Sequence, residues 1–497
     1  MEQEKDTKGL SVWQLTMLAL GTVVGGSFFL GSSIVVRAAG PSALIAFVIG
    51  GILVYFILTA IAEMTVANPK SSSFRSYTEQ AFGKGAGYTV GWVYWIGLVL
   101  AMSSEATAVS ILLRGWFPGI SLPLLGSIII VGVTLLNLLG AERLSKLESG
   151  LAVFKLLAIV AFVFIAIFFV VGFTTGGPRP VGVDVLRSEN WIPGGIRGIA
   201  GSMLIVMFSY SGFEVLGQTS TETTDPAKTI PKAIRYTTVL LIGLYLSGMA
   251  ALFLLIPSSL VTEAVSPFVS ALSLHGLGWT GSAMNIVLIS AVLSTMLASV
   301  FGLGQMLRSL ADEGHTPAWM KDRKDIPYRG ILISGGSMLA GLGLGMLLPQ
   351  GVYLFLVSSG GFSVLFTYAI IMASHYRLRK RNGGPFSKQH GLKGFPYTSW
   401  LTIGSLIAII VSMPLIPGQG GGLAAGVMFV AIFAGLYAWG HFRKPVVVAR
   451  KPLVRVPSIT SPFSGLAQTE MSEELTEGIP EVLAKSAELK KGDEPRK

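Results

Sequence analysis

Apolar residues in this chain come in long runs, not in the alternation of a strand or the narrow stripe of a half-buried helix. Twelve runs stand out, at 11–38, 41–66, 86–113, 121–140, 148–173, 196–222, 233–257, 281–310, 330–349, 351–378, 399–418 and 421–442. Each approaches or exceeds the roughly 20 residues that cross ~30 Å of hydrocarbon. In lipid every backbone N–H and C=O must be paired within its segment, and a barrel would alternate with period two, so the runs predict helices. The expected fold class is an all-α membrane protein with twelve transmembrane helices. Residues 1–10 are polar, and no cleavable signal peptide follows them. The tail, 445–497, has no spanning run. It reads as mostly disordered with one short helix near 480–490, basic at first (Arg450, Lys451, Arg455) and acidic later (Glu470, Glu473, Glu474, Glu477).

Composition narrows the class. The 497 residues are 51% hydrophobic and only 13% charged, about half the charged share of a soluble domain. That excludes both a soluble enzyme and a disordered chain. The absence of cysteine removes disulfides, thiolate metal sites and cysteine nucleophiles. The net charge of +11 invites a nucleic-acid reading, but the basic residues lie between apolar runs, where they set topology. With the N-terminus inside, inner segments carry Lys70, Arg75 and Lys84, Arg143 and Lys146, Lys228, Lys232 and Arg235, Lys321 to Arg329, and Arg377 to Lys393. The outer side has Arg37, Arg114, Arg179, Arg187 and Arg197. Both termini are therefore expected in the cytoplasm, with the chain in the cell membrane.

Two runs are interrupted at membrane depth. The first contains Val23-Val24-Gly25-Gly26-Ser27-Phe28, and Gly-Gly is poor helix material. Small residues also serve close helix packing. An unwound stretch here, however, would free the amides of Ser27 and Phe28 at a positive dipole end that suits a carboxylate. The sixth run contains Phe208-Ser209-Tyr210-Ser211-Gly212-Phe213-Glu214, and the centres Gly25 and Ser211 are 186 residues apart. Broken helices at matching places in two five-helix halves point to an inverted-repeat transporter with a midplane site. Carbonyls freed near Phe208 would face an ammonium group, so the pair of breaks describes a zwitterionic amino acid.

Charges inside the membrane are functional candidates by default. Lys155 lies in the inner half of the fifth run, Glu105 in the outer half of the third, and Glu214 just after the second break. Glu105 could line the side-chain pocket, carry a proton or simply bond a neighbouring hydroxyl. Glu214 could cap a helix start. Glu63, Glu142, Glu148 and Glu222 lie near inner helix ends and read best as solvated loop charges. The five histidines are scattered without metal-ligand spacing, so no metal and no cofactor is expected. Thr89-Val90-Gly91-Trp92 lacks the rest of a potassium filter, and there is no phosphate-binding loop.

The fragments GTVVGGSFFLGSS, AEMTVANP, GWVYWIGLVLAMSSEATAV, FKLLAIVAF, MFSYSGFEVLGQTSTETTDPAKTIPKA and MLRSLADEGHTP occur in that order over residues 8–440. Together they resemble amino-acid permeases of the amino acid–polyamine–organocation superfamily, in the bacterial branch of aromatic amino acid, proline, lysine and GABA carriers. The resemblance implies a first repeat over 11–173, a second over 196–378, two extra helices over 399–442, and secondary transport that is proton-coupled and sodium-independent. It implies that Lys155 replaces a sodium ion beside the carbonyls of Gly21, Thr22 and Gly25, that Phe208 closes over substrate, and that Glu214 takes part in proton-sensitive gating. The expected pocket is framed by Gly25–Ser27, Ser103 and Ser104, Phe208–Gly212, Ser290 and Ser294, and Ser359–Gly361, which suits a neutral amino acid. The expected partners are an amino acid, a proton and the lipid bilayer; nothing in the sequence sets an oligomeric state. An amino-acid exchanger, and a sensor that binds without turnover, are the competing readings.

Overall fold

The computed structural model describes residues 11–67, 73–172, 182–214, 216, 223, 225–263, 265–276, 278–322, 326–346, 352–386 and 391–443. Among them all regular structure is helical. The first apolar run is divided into α1 (Val12–Val23), α2 (Gly26–Phe29) and α3 (Ser32–Ala39). It is followed by α4 (Ala43–Ala67), a short α5 (Phe74–Phe82), α6 (Lys84–Leu113), α7 (Leu122–Asn137) and α8 (Ala141–Val170). Next come α9 (Val183–Ser188), α10 (Gly195–Ser209), α11 (Pro226–Leu255), α12 (Pro267–Leu274), α13 (Gly278–Asp312), α14 (Tyr328–Met346), α15 (Val352–Arg381), α16 (Tyr397–Ser412) and α17 (Gln419–Arg443). Each of the twelve apolar runs thus contains helix. Eight helical stretches among the described residues are long and apolar enough to cross a membrane. Contacts divide the chain at Arg443, and Lys444–Lys497, with the expected helix near 480–490, lies outside the described residues.

Three short helices were not legible as apolar runs. One is α5, which starts where the Ser73 hydroxyl accepts the Arg75 amide. The others are α9 and α12, both too short to span.

The helices form a bundle with a distinct centre. The most apolar windows of α6 and α15 are 78% and 83% buried inside the protein, against 11% for α17. They meet at Gly97 and Gly360, where a side chain on Gly97 would collide with Ser363. Small residues permit such an approach between apolar helices. By contrast, α8, α16 and α17 expose Phe164, Val411, Trp439 and other large apolar groups, as a lipid-facing surface requires.

One end of the bundle is tied by a buried charge cluster. Glu63, expected as a solvated loop charge, is 0% exposed. Its carboxylate accepts from Arg379 Nη1 (3.1 Å) and the amides of Phe386 (3.1 Å) and Leu392 (2.9 Å), and lies 2.9 Å from His375 Nε2. Arg379 also donates to the Leu392 carbonyl at 2.9 Å and lies over the Phe395 ring. The expectation fails because the segment after α15 folds back over Glu63 and supplies amides where water was assumed. Of the other acids in that group, the side chains of Glu142 and Glu148 and the whole of Glu222 lie outside the described residues.

Removing one partner of a buried ion pair strands the other charge and costs about 3–5 kcal/mol, whereas an exposed pair contributes about 1 kcal/mol or less. Glu63→Ala should therefore lower the thermal midpoint in detergent far more than Arg37→Ala, which breaks the half-exposed Arg37–Glu263 pair (3.1 Å) at the opposite end. Equal midpoints for the two variants would contradict this reading.

Candidate functional site

The two sequence breaks are real and they touch. α1 stops at Val23, Val24 and Gly25 are extended, and the helix resumes at Gly26. α10 stops at Ser209 and passes into turns through Glu214, with Gly212 at φ 108°, a region that favours glycine. A methyl group on Gly212 would also crowd the Thr22 carbonyl. Ser209 Oγ donates to the Ser27 carbonyl (3.0 Å), and Thr22 Oγ1 donates to the Gly212 carbonyl (3.2 Å). The residues that would form an inner half of the sixth run, 215 and 217–222, lie outside the described residues.

Each intramembrane charge meets one of these breaks. Lys155 Nζ donates to the Gly21 carbonyl and to Thr295 Oγ1 (3.2 Å), while Thr295 Oγ1 donates to the Val24 carbonyl (3.0 Å). The ammonium is fully buried among oxygens left by the end of α1. Thr22 and Gly25, also expected around it, have carbonyls with other neighbours: the Gly25 carbonyl accepts the amides of Phe28 (3.2 Å) and Phe29 (3.3 Å), and the Thr22 carbonyl lies against Gly212. Glu105 receives the amide of Gly26 on Oε2 (2.9 Å) and of Ser27 on Oε1 (3.2 Å). The freed amides are thus Gly26 and Ser27, one residue earlier than expected. The Phe28 amide is already bonded to the Gly25 carbonyl in the first turn of α2. Glu214 accepts from Tyr94 (2.5 Å), Tyr368 (2.9 Å) and the Gly212 amide (3.0 Å). The two tyrosines come from α6 and α15, so a local capping role does not describe it.

A cavity of about 340 Å³ lies between the breaks, within the usual range for a small-molecule site. Its wall includes Val23, Ser27, Glu105, Phe208, Ser211, Gly212 and Glu214 from the expected set. The remaining expected residues lie elsewhere. Phe28 stacks on Tyr245 with ring centroids 4.1 Å apart, and Tyr210 donates to the Phe47 carbonyl at 3.0 Å. Val24, Gly25 and Gly26 face Thr295 and Glu105, and Ser209 is spent on Ser27. Ser104 bonds back to Ala101, and Ser103 faces Met338. Ser290 and Ser359 bond back into their own helices. Ser294 lies off the cavity stripe, and Gly360 and Gly361 pack on α6 and Leu204.

The reason is helical phase. On α6 the wall is Tyr94, Leu98, Ala101, Met102 and Glu105; on α13 it is Thr295, Ala298, Ser299, Gly302, Gln305, Met306 and Ser309. Both follow the 3.6-residue period, and the missed members could have been found by extending that period from Glu105. The carbonyls at the end of α10 are also partly spent: Phe208 O accepts the Ser211 amide (3.0 Å) and hydroxyl (2.7 Å), and Ser209 O accepts Tyr245 (2.8 Å).

The cavity runs toward one end only. It reaches Ser73, Gln305 and Ser309 beside Arg75, which pairs with Glu313 and donates to Ser309 Oγ at 3.2 Å. In the other direction the wall ends at Ser27 and Phe208, and past Ser27 the rings of Phe28, Phe29, Phe162, Tyr245 and Phe268 pack together. Ser266 Oγ there donates to the Phe29 carbonyl at 2.8 Å.

A helical bundle with paired mid-helix breaks and a mostly apolar cavity between them is the arrangement of a multi-pass membrane transporter. The profile of the amino acid permease family matches residues 14–449, and the chain belongs to that family. It is 31% identical over 414 residues to the gamma-aminobutyric acid permease of Bacillus subtilis (strain 168), covering 82% of this chain and 88% of that one. It is 30% identical over 467 residues to the L-asparagine permease of Salmonella typhimurium, covering 91% and 93%. Among solved structures, a manganese transporter of Eremococcus coleocola superposes with TM-score 0.54 at 16% identity, covering 88% of this chain and 96% of that one. The fold is shared with that transporter.

Thr295 bridges Lys155 to the break in α1, and Thr295→Val removes the bridge with little change of shape. The Val24 carbonyl then stays buried without that donor, at a cost of about 1–3 kcal/mol. A lowered thermal midpoint together with reduced amino-acid uptake is expected; an unchanged midpoint would show that the bridge contributes nothing.

Proposed function

We propose that this protein is a proton-coupled, sodium-independent amino-acid symporter with twelve transmembrane helices. In this reading a five-plus-five inverted repeat, with the broken first and sixth helices at its centre, is followed by two further helices, and both termini are cytoplasmic. The single observation that carries the proposal is the Lys155 ammonium on the Gly21 carbonyl and Thr295. Carbonyl and hydroxyl oxygens at a helix break make a cation seat. A side chain that fills the seat supplies the positive charge itself and leaves no room for a metal ion. A buried lysine can also release and regain its proton during the cycle.

Substrate carboxylate meets the amides of Gly26 and Ser27, and Phe208, Ser211 and Gly212 form the facing wall. The small and apolar lining supports a neutral amino acid, with Glu105 and Glu214 engaged by protein donors. Relatives named for gamma-aminobutyric acid and L-asparagine support an amino-acid substrate while differing in the side chain. The cavity opens at the end that carries Arg75, Arg377, Arg379 and Arg381, which the positive-inside rule assigns to the cytoplasm. The conformation is then inward-open.

Proteoliposomes containing the purified protein should accumulate labelled amino acids when an inward proton gradient is imposed, equally with and without sodium. Flux that requires amino acid inside the vesicle would mean an exchanger, and binding without flux a sensor. Lys155→Ala should lose concentrative uptake; an unchanged rate and pH profile would remove Lys155 from the mechanism.

The chain has no native cysteine, so single-cysteine labelling has no background. Ser299→Cys and Gln305→Cys should react with a membrane-impermeant thiol reagent in inside-out vesicles and be protected in right-side-out ones. The reverse pattern would contradict the assigned orientation.

A further inference from the structure

The amides at the break in α1 are already occupied by a carboxylate. Both oxygens of Glu105 are used, one on the Gly26 amide and one on the Ser27 amide, as a bound carboxylate ligand would be held. Glycine at position 26 makes this possible, because a methyl group there would lie 2.4 Å from Glu105 Oε2. Glu105 is 3% exposed, yet it and Ser27 both belong to the cavity wall. Each amide has one hydrogen to give, so the pair cannot serve Glu105 and a second carboxylate together.

We infer that Glu105 is the protein's own stand-in for the substrate carboxylate, and that an amino acid binds only by displacing it in a proton-dependent exchange. The inference rests on the permease reading and deepens it. A hydronium ion gives its proton to Glu105 and is left as water, an O–H bond forms on the carboxylate, and the neutral side chain leaves the amides. The substrate carboxylate then takes both N–H groups. One carboxylate replaces another, so the negative charge beside the amides and Lys155 is conserved. Holding both ionised groups in the same buried place would set like charges against each other. Proton and amino acid are therefore taken up together because they act on one pair of amides.

The charge that acts on Glu105 is Lys155 from α8, and Glu105 acts in turn on Tyr245 from α11 and Tyr353 from α15, with Glu214 on the same cavity wall. Lys155 is engaged by Gly21 and Thr295, and Glu214 by two tyrosines and the Gly212 amide. Glu105 is the carboxylate whose partners are also the proposed substrate donors. The contrary arrangement, in which Glu105 receives the substrate ammonium, predicts the opposite effect of neutralising it.

The test is calorimetric binding to the full-length protein in nanodiscs. The probes are the twenty amino acids and gamma-aminobutyric acid, continuing with whichever binds. Repeating the titration in buffers of different ionisation enthalpy counts protons. The wild type should take up about one proton per molecule bound on the alkaline side, where its affinity falls about tenfold per pH unit. Glu105→Gln should bind with no proton uptake, with little dependence on pH, and at least about tenfold more tightly than the wild type at alkaline pH. Wild-type binding without proton uptake would overturn the inference and leave the permease reading intact. So would a folded Glu105→Gln protein that no longer binds, since Glu105 would then be holding the ammonium. If that variant does not fold, the wild-type proton count decides alone. No binding by any probe would overturn the permease reading and this inference together.

Discussion

A break in a helix at membrane depth frees backbone N–H and C=O groups that have no water to turn to, and each one left unpaired costs several kcal/mol. The centre of this protein is arranged around meeting that requirement. The Gly21 carbonyl is met by Lys155, the Val24 carbonyl by Thr295, and the Gly26 and Ser27 amides by Glu105. The Ser27 carbonyl is met by Ser209, the Ser209 carbonyl by Tyr245, the Gly212 carbonyl by Thr22 and the Gly212 amide by Glu214. These partners come from α8, α13, α6, α10, α11 and α1. Satisfying two short unwound stretches is enough to fix how most of the inner helices sit around them.

The same requirement explains why polar side chains so rare in this chain occur where they do. A carboxylate or an ammonium is costly in the bilayer core, but here each one replaces bonds that the backbone has lost. Their functional use follows from a second property. Unlike the backbone bonds they replace, bonds to Lys155, Glu105 and Glu214 depend on a proton. The breaks are thus held partly by hydroxyls that do not titrate, at Thr22, Ser209 and Thr295, and partly by groups that do.

What the sequence revealed, and what it hid, divides along sequence separation. The breaks were legible because Gly25-Gly26 and Ser209–Gly212 are local departures from apolar helix, and Lys155, Glu105 and Glu214 because a single charge in such a run is conspicuous. Their partners were less so. Glu105 finds amides about eighty residues away, and Glu214 finds Tyr94 and Tyr368 from two different helices. The pocket wall was misjudged at Ser104, Ser290 and Ser294 because hydroxyl chemistry was weighed above helical phase, which sets the direction of a side chain before its chemistry matters. Glu63 was misjudged because it lies near a helix end. The available signal was on the other partner, since His375 and Arg379 stand four residues apart on one face of an apolar helix and need a shared acceptor.

The two ends of the bundle are held by different means, and the difference bears on which one opens. The closed end relies on aromatic packing around Phe28 and Phe268 together with half-exposed polar contacts such as Arg37–Glu263. The ion pair separates at small cost because water can replace it, so the buried rings carry most of what holds this end shut. The open end is braced by Glu63, whose carboxylate gathers donors from α15 and the segment after it in a fully buried place. Breaking that cluster would strand a buried charge, so the cluster ties α4 firmly to α15 at this end. Closure of the mouth beside Arg75 would then call on elements other than these two helices. The Arg75–Glu313 pair joins α5 to the end of α13 with its carboxylate 40% exposed, and it stands at the cavity mouth where such movement is required. Among the described residues this end thus carries a charge cluster sealed from water at Glu63 and ion pairs within reach of water at Glu313 and Asp312.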